Sequence, residues 1–172
     1  AAWVKTTGSQ NQHYNVILNK ESVYEVAIRN GNELCSALAV GRVGNWNWWC
    51  SGTVPTSSWA HVAVTYSSST GTCKHWVNGV DVGSRGLSAG GLAHHNTALK
   101  IGARGGEHNA NAGHAIFIGD IDDVKIYNRA LAQAEVAAVI AAEDGADVTR
   151  PMDGLVGEWA LDGPTDVGYP AG

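Results

Sequence analysis

An all-β fold, an antiparallel β-sandwich of the jelly-roll type, is what this sequence predicts. Three observations predict it. Short runs of β-forming residues follow one another through the first 128 residues, turn residues separate them, and only one stretch has helical character. A chain of 172 residues with 44% hydrophobic content suits one domain with a full core.

In chain order, strands are expected near residues 1–7 (AAWVKTT), 14–19 (YNVILN), 23–30 (VYEVAIRN), 33–40 (ELCSALAV) and 45–51 (NWNWWCS). More follow near 59–66 (WAHVAVTY), 72–78 (TCKHWVN), 80–83 (VDVG), 98–102 (ALKIG) and 116–127 (IFIGDIDDVKIY). Asn30-Gly31, the Gly41 to Gly44 loop, SSSTG at 67–71 and Asn78-Gly79 supply the hairpin turns. In WAHVAVTY, Trp59, His61, Ala63 and Thr65 share one face, and Ala60, Val62, Val64 and Tyr66 the other. Trp76 and Val77 face opposite ways. In residues 116–127, strict alternation places Ile116, Ile118, Val124 and Ile126 on one face with Asp120 and Asp122 between them. The one helix is expected at 129–143 (RALAQAEVAAVIAAE), with Leu131, Val136, Val139 and Ile140 on its apolar stripe and Gly145 as its stop. Residues 1–143 form the jelly roll, 144–154 a linker, and 155–172 carry a last strand, LVGEWALD.

Bulk chemistry excludes several classes. Charged residues are 16%, the net charge is −5 and the pI is about 5.7. No Lys/Arg run exists, which argues against nucleic acid, and the acidic balance argues against anionic membranes. The longest apolar run, Val136 to Ala142, is too short to span a bilayer, so no membrane insertion is expected. The 22 glycines, seven tryptophans and single methionine give an extracellular style of composition.

The Gly41 to Gly44 loop sets a hairpin register in which residue 50 faces 35, 48 faces 37 and 46 faces 39. Cys35 and Cys50 are then directly opposed and expected to form a disulfide, leaving Cys73 unpaired and implying an oxidising, secreted setting. Trp46 and Trp48 lie over Ala39 and Ala37, a large-over-small fit expected of core. Trp49, beside Ser36 on the opposite face, becomes the candidate carbohydrate contact.

SSWAHVAVTYSSSTGTCKHWVNGVDVGS resembles the central signature of laminin-G-like domains of the concanavalin A-like lectin/glucanase superfamily. LKIGARGG (99–106) and FIGDIDDVKIYNRAL (117–131) resemble its two closing signatures, and AAWVKT its early inward-Trp strand. The resemblance implies a concanavalin A-like jelly roll. It also implies an opening strand of the pattern Leu-Val-x-x-Trp-x-Leu-Asp beside the closing Ile-Asp-Asp-Val strand. No such strand precedes AAWVKT, and LVGEWALD supplies it at the back. It is expected to act as a donor strand, burying Leu155, Trp159 and Leu161 in a neighbouring copy. Return to its own domain and a slice of a tandem array are the alternatives.

Glucanases of this fold carry a Glu-x-Asp-x-x-Glu cluster, which is absent here; the nearest groups are Asp120/Asp122/Asp123 and Glu158/Asp162. No catalytic residue is therefore assigned. The resemblance implies a structural calcium ion (Ca2+) held by Asp122 and Asp162, although the family's fuller ligand loop is missing; the sequence offers Asp166 as a third carboxylate and Asp120, which with Asp122 interrupts an apolar face, as a further one. The histidines at 94, 95, 108 and 114 are read as surface loops rather than a zinc site. The expected function is a non-catalytic, secreted structural or adhesive subunit, polymerising with itself head to tail. The alternative is a carbohydrate-binding module of a secreted enzyme or adhesin, with glycans as its partners.

Overall fold

The computed structural model of the chain describes residues 1–7, 15–104, 115–143 and 151–161. Its strands are β1 (Ala2–Thr6), β2 (Asn15–Lys20), β3 (Tyr24–Arg29), β4 (Glu33–Ala39), β5 (Trp46–Thr53), β6 (Ala60–Ser67), β7 (Thr72–Val77), β8 (Val80–Gly86) and β9 (Leu99–Ile101). Then come β10 (Gly119–Asp122), β11 (Val124–Tyr127), the helix α1 (Gln133–Glu143) and β12 (Leu155–Trp159). One five-stranded sheet runs β10-β1-β6-β7-β8 and the other β5-β4-β3-β2-β9; β11 and β12 form a two-stranded ribbon. The pairs are antiparallel, as a sandwich requires.

The core lies between the large sheets. Val4, Val62 and Val77 from one face Ile28 and Leu34 from the other, each at most 7% exposed. These inward side chains alternate with outward ones as the pattern of WAHVAVTY requires: Val62 joins this core, while Ala63 joins a second cluster on the outer face. That outer cluster is where α1 docks. Trp76, Ala63, Val136, Val139 and Leu131 bury one another there. The β7–β8 hairpin turns at Asn78-Gly79, both at positive φ (48° and 76°), as a tight two-residue connection demands.

The helix starts at Gln133 rather than near 129. The reason is a local cap: the Ala132 N–H donates to Glu135 Oε2 at 2.8 Å, while Arg129 is drawn aside into an ion pair with the same carboxylate. Arg129 and the Ala132 N–H together hold the Glu135 carboxyl down at about 2.

Residues 116–127 do not form one alternating strand. Asp123 adopts φ 46° and breaks it into β10 and β11. The break resets the phase, so Ile121, Val124 and Ile126 join the core while Asp122 pairs beside Trp3 on the outer face. Ile116 and Ile118 are 52% and 56% exposed, and Asp120 is exposed too. The acidic interruption of an apolar face expected there is therefore absent. The ladder nevertheless continues past the break, because the Lys125 N–H donates to the Ala1 carbonyl at 2.9 Å. β12 pairs with β11 of the same chain, in the register Val124↔Trp159, Lys125↔Glu158 and Ile126↔Gly157.

Candidate functional site

The β4–β5 hairpin has the register expected for it: Cys35↔Cys50, Ala37↔Trp48 and Ala39↔Trp46. Cys35 and Cys50 are joined by a disulfide, and Cys73 is free and buried. Trp46 and Trp48 cover Ala39 and Ala37, both fully buried, but they do so on the outer face of the sheet. They are half-buried there rather than core residues.

Trp49 is placed opposite to expectation. Its indole points into the space between the sheets and stacks on the His75 ring, with centroids 4.0 Å apart. It packs in an interior cluster with Leu38, Val40 and Cys73. Both faces of this hairpin are apolar, so alternation alone does not say which face meets the second sheet.

Around His75 the interior is polar but satisfied. Ser36 Oγ lies 2.8 Å from Nε2 and Ser51 Oγ 3.0 Å from Nδ1. Burial lowers the His75 pKa to about 4, so the ring is neutral between two hydroxyls. Burial also pushes the Cys73 thiol up to about 11, which keeps it protonated at neutral pH despite Ser36 Oγ at 3.8 Å.

The outer face around β5 has a different chemistry. Trp46 and Trp48 sit side by side, centroids 6.4 Å apart and tilted by 34°. The Arg29 guanidinium lies 4.8 Å from the Trp48 ring centroid and that of Arg104 lies 5.9 Å away. Arg104 is oriented by a forked pair with Glu25, its Nε donating to Oε2 at 2.6 Å and its Nη2 to Oε1. Glu25 and Asn19 are fully buried beneath, joined by Asn19 Nδ2 donating to Glu25 Oε2 at 2.8 Å. The Asn19 Oδ1 has no hydrogen-bond partner among the described residues. Indole faces, guanidinium donors and a rigid disulfide-pinned edge make a surface that can stack on and hydrogen-bond a polar ring. Sequence reasoning missed Arg29, Arg104, Glu25 and Asn19. The only local signal was an acid and a base in the outward phase of VYEVAIRN.

The carboxylates expected at a metal divide. Asp122 is buried, and its Oδ1 accepts the N–H groups of Asp123 at 2.7 Å and of Leu161 at 3.0 Å. Asp120 stands opposite Lys5. Asp162 and Asp166 lie outside the described residues. No group of three or more His, Cys, Asp or Glu able to hold a metal occurs among the described residues. His94 and His95 are exposed, and His108 and His114 lie outside the described residues.

Beside Asp122 the outer face carries Trp3 and His61. His61 is 1% exposed, neither ring nitrogen has a hydrogen-bond partner among the described residues, and burial lowers its pKa to about 3. Lys125 is buried nearby, with Asp123 Oδ1 at 3.3 Å and Glu158 Oε1 at 3.5 Å. No helix among the described residues is long and apolar enough to cross a membrane.

Solved structures with the same fold include a candidate carbohydrate-binding protein from Bacteroides ovatus, at TM-score 0.71 and 20% identity. That match covers 95% of this chain but only 44% of the Bacteroides protein, so the chain spans less than half of its length. A heptameric SAP-like pentraxin from Limulus polyphemus matches at TM-score 0.54 and 18% identity, over 94% of this chain and 78% of its own. The binding domain of a paraclostridial mosquitocidal protein matches at TM-score 0.56 and 16% identity, over 83% and 36%. At such identities these likenesses speak for the fold. No curated protein matches the chain. Residues 1–137 match the family described as the concanavalin A-like lectin/glucanases superfamily, and with the laminin-G-like signatures and two-sheet sandwich in place, the chain belongs to the laminin-G-like family of that superfamily.

Proposed function

We propose that the chain is a non-catalytic domain of a secreted or surface protein that binds glycans on the outer face of its β5 edge. The Trp46–Trp48 pair carries this reading. Two half-buried indoles on an edge strand offer apolar faces to the C–H side of a sugar ring, and Arg29 and Arg104 bring donors for its hydroxyls. The Cys35–Cys50 bridge supports an oxidising location. The name of the Bacteroides protein points the same way. A glycan array should show a defined ligand. The substitution Trp46→Ala should then weaken binding about tenfold, a loss of about 1.4 kcal/mol, with little change in melting temperature. No bound glycan, or unchanged binding by the variant, overturns the reading.

A second reading has its own observation. β12 is bonded to β11 alone among the described strands, and Val156, Trp159 and Leu161 on and after it stay 61%, 36% and 45% exposed. The same strand supplied to a neighbour makes the same contacts in trans and joins copies head to tail into a fibre. Sedimentation at rising concentration should then show growing species, and a single compact monomer throughout overturns it. Calcium at Asp122 and Asp162 belongs with these proposals. Ligand linkage requires chelator to lower the melting temperature, and equal melting with calcium and with chelator counts against the ion.

A further inference from the structure

We infer that the β11 edge selects its partner strand by polar marks rather than by apolar burial, and that the partner it fits is the Asp153–Leu161 segment of its own chain. Its use between copies rests on the strand-donor reading above; the recognition itself does not. The expected apolar anchors are poorly suited to the task. Leu155 is half-buried, and Trp159 and Leu161 keep 36% and 45% of their surface in water. Polar contacts at its centre and at both ends hold the segment instead.

At its centre Glu158 stands directly opposite Lys125 in the register. The Lys125 side chain is 0% exposed, and the Glu158 carboxylate reaches its ammonium at 3.5 Å. An ammonium taken out of water needs carboxylates around it, so a strand with a neutral residue at this position leaves Lys125 with less compensation. Asp123, a further carboxylate beside it at 3.3 Å among the described residues, belongs to the acceptor and is present whatever strand docks.

At the start of the segment, the Asn128 N–H donates to the Gly154 carbonyl at 2.8 Å. Arg129 Nε donates to the Asp153 carbonyl at 3.0 Å and pairs with its carboxylate at 3.0 Å. Gly154 has φ +77°, and a Cβ there would stand 2.7 Å from Asn128 Oδ1 and 3.0 Å from Arg129 Cγ. Both conformation and space therefore require glycine. At the far end, the Leu161 N–H donates to Asp122 Oδ1 at 3.0 Å. Any extended peptide can satisfy the ladder of β11. Only one with Asp-Gly at the start and an acid four residues after that glycine satisfies the acceptor's side chains.

The test uses the full chain. Glu158→Gln, Lys125→Met and the double variant form a cycle read by hydrogen exchange of the Val124–Tyr127 amides, with Val156→Ala as control. Glu158→Gln should speed exchange about tenfold when Lys125 is present and less than about twofold when it is Met, and the control should stay within about twofold. Equal effects of Glu158→Gln in both backgrounds, or of Glu158→Gln and Val156→Ala, overturn the inference. A second arm keeps the native protein and adds a fluorescent peptide of residues 151–163. Capture should be at least about tenfold weaker for the peptide carrying Glu158→Gln. Equal capture of both peptides overturns the inference. Capture of neither overturns the strand-donor reading, and the exchange cycle then decides the recognition alone.

Discussion

Replacing Trp76 by alanine is expected to cost about 3–5 kcal/mol, the range for removing a large buried aromatic side chain. Trp76 is 2% exposed and lies between the sheet and α1, against Ala63, Leu131, Val136 and Val139. Its Nε1–H donates to Thr65 Oγ1 at 3.0 Å, so the substitution also strands a buried hydroxyl. The helix has 11 residues and is too short to persist without its docking face. Chemical denaturation should show the lost stability, and far-UV circular dichroism should show reduced helix before global unfolding. Trp76→Phe, which keeps most of the apolar contact, should cost well under half as much. A loss below about 1 kcal/mol for Trp76→Ala would mean that the helix does not depend on this contact.

Glu25→Ala is expected to cost about 3 kcal/mol, near the lower end for breaking a buried ion pair, because the Arg104 side chain retains 18% exposure and can recover some water. The carboxylate is the shared acceptor of Arg104 and Asn19, and both lose that contact with it. Removing Arg104 as well should cost less than the sum of the two single changes, since the second substitution takes away the charge that the first left behind. Urea denaturation of the four proteins gives the coupling, and strictly additive losses would show that the pair does not act as a unit. The same change unmoors the guanidinium beside Trp48, so Glu25→Ala should also weaken any glycan held on the β5 edge. Stability and binding are thus tied at this position, whereas at Trp46 they separate.

The hairpins were legible in the sequence because their determinants are short-range. The Gly41 to Gly44 loop and strand alternation were enough to oppose Cys35 and Cys50, and the bridge is there. The same reasoning placed Val62 and Ala63 on opposite faces of β6, and the turn at Asn78-Gly79. Each rests on a period of two and on a loop of a few residues.

Tertiary structure decided what alternation leaves open. Period two separates Trp49 from Trp46 and Trp48, but with apolar residues on both sides only the second sheet, arriving with His75, determines that Trp49 goes inside. A single left-handed residue, Asp123, shifts the phase of the closing strand and moves Asp122 away from the core face, a change no periodicity can announce. Glu25 and Arg104 are 79 residues apart, and Lys125 meets Glu158 from a strand that follows α1. A charge is buried when a distant one arrives to compensate it, so these pairs exist only once the chain has closed on itself.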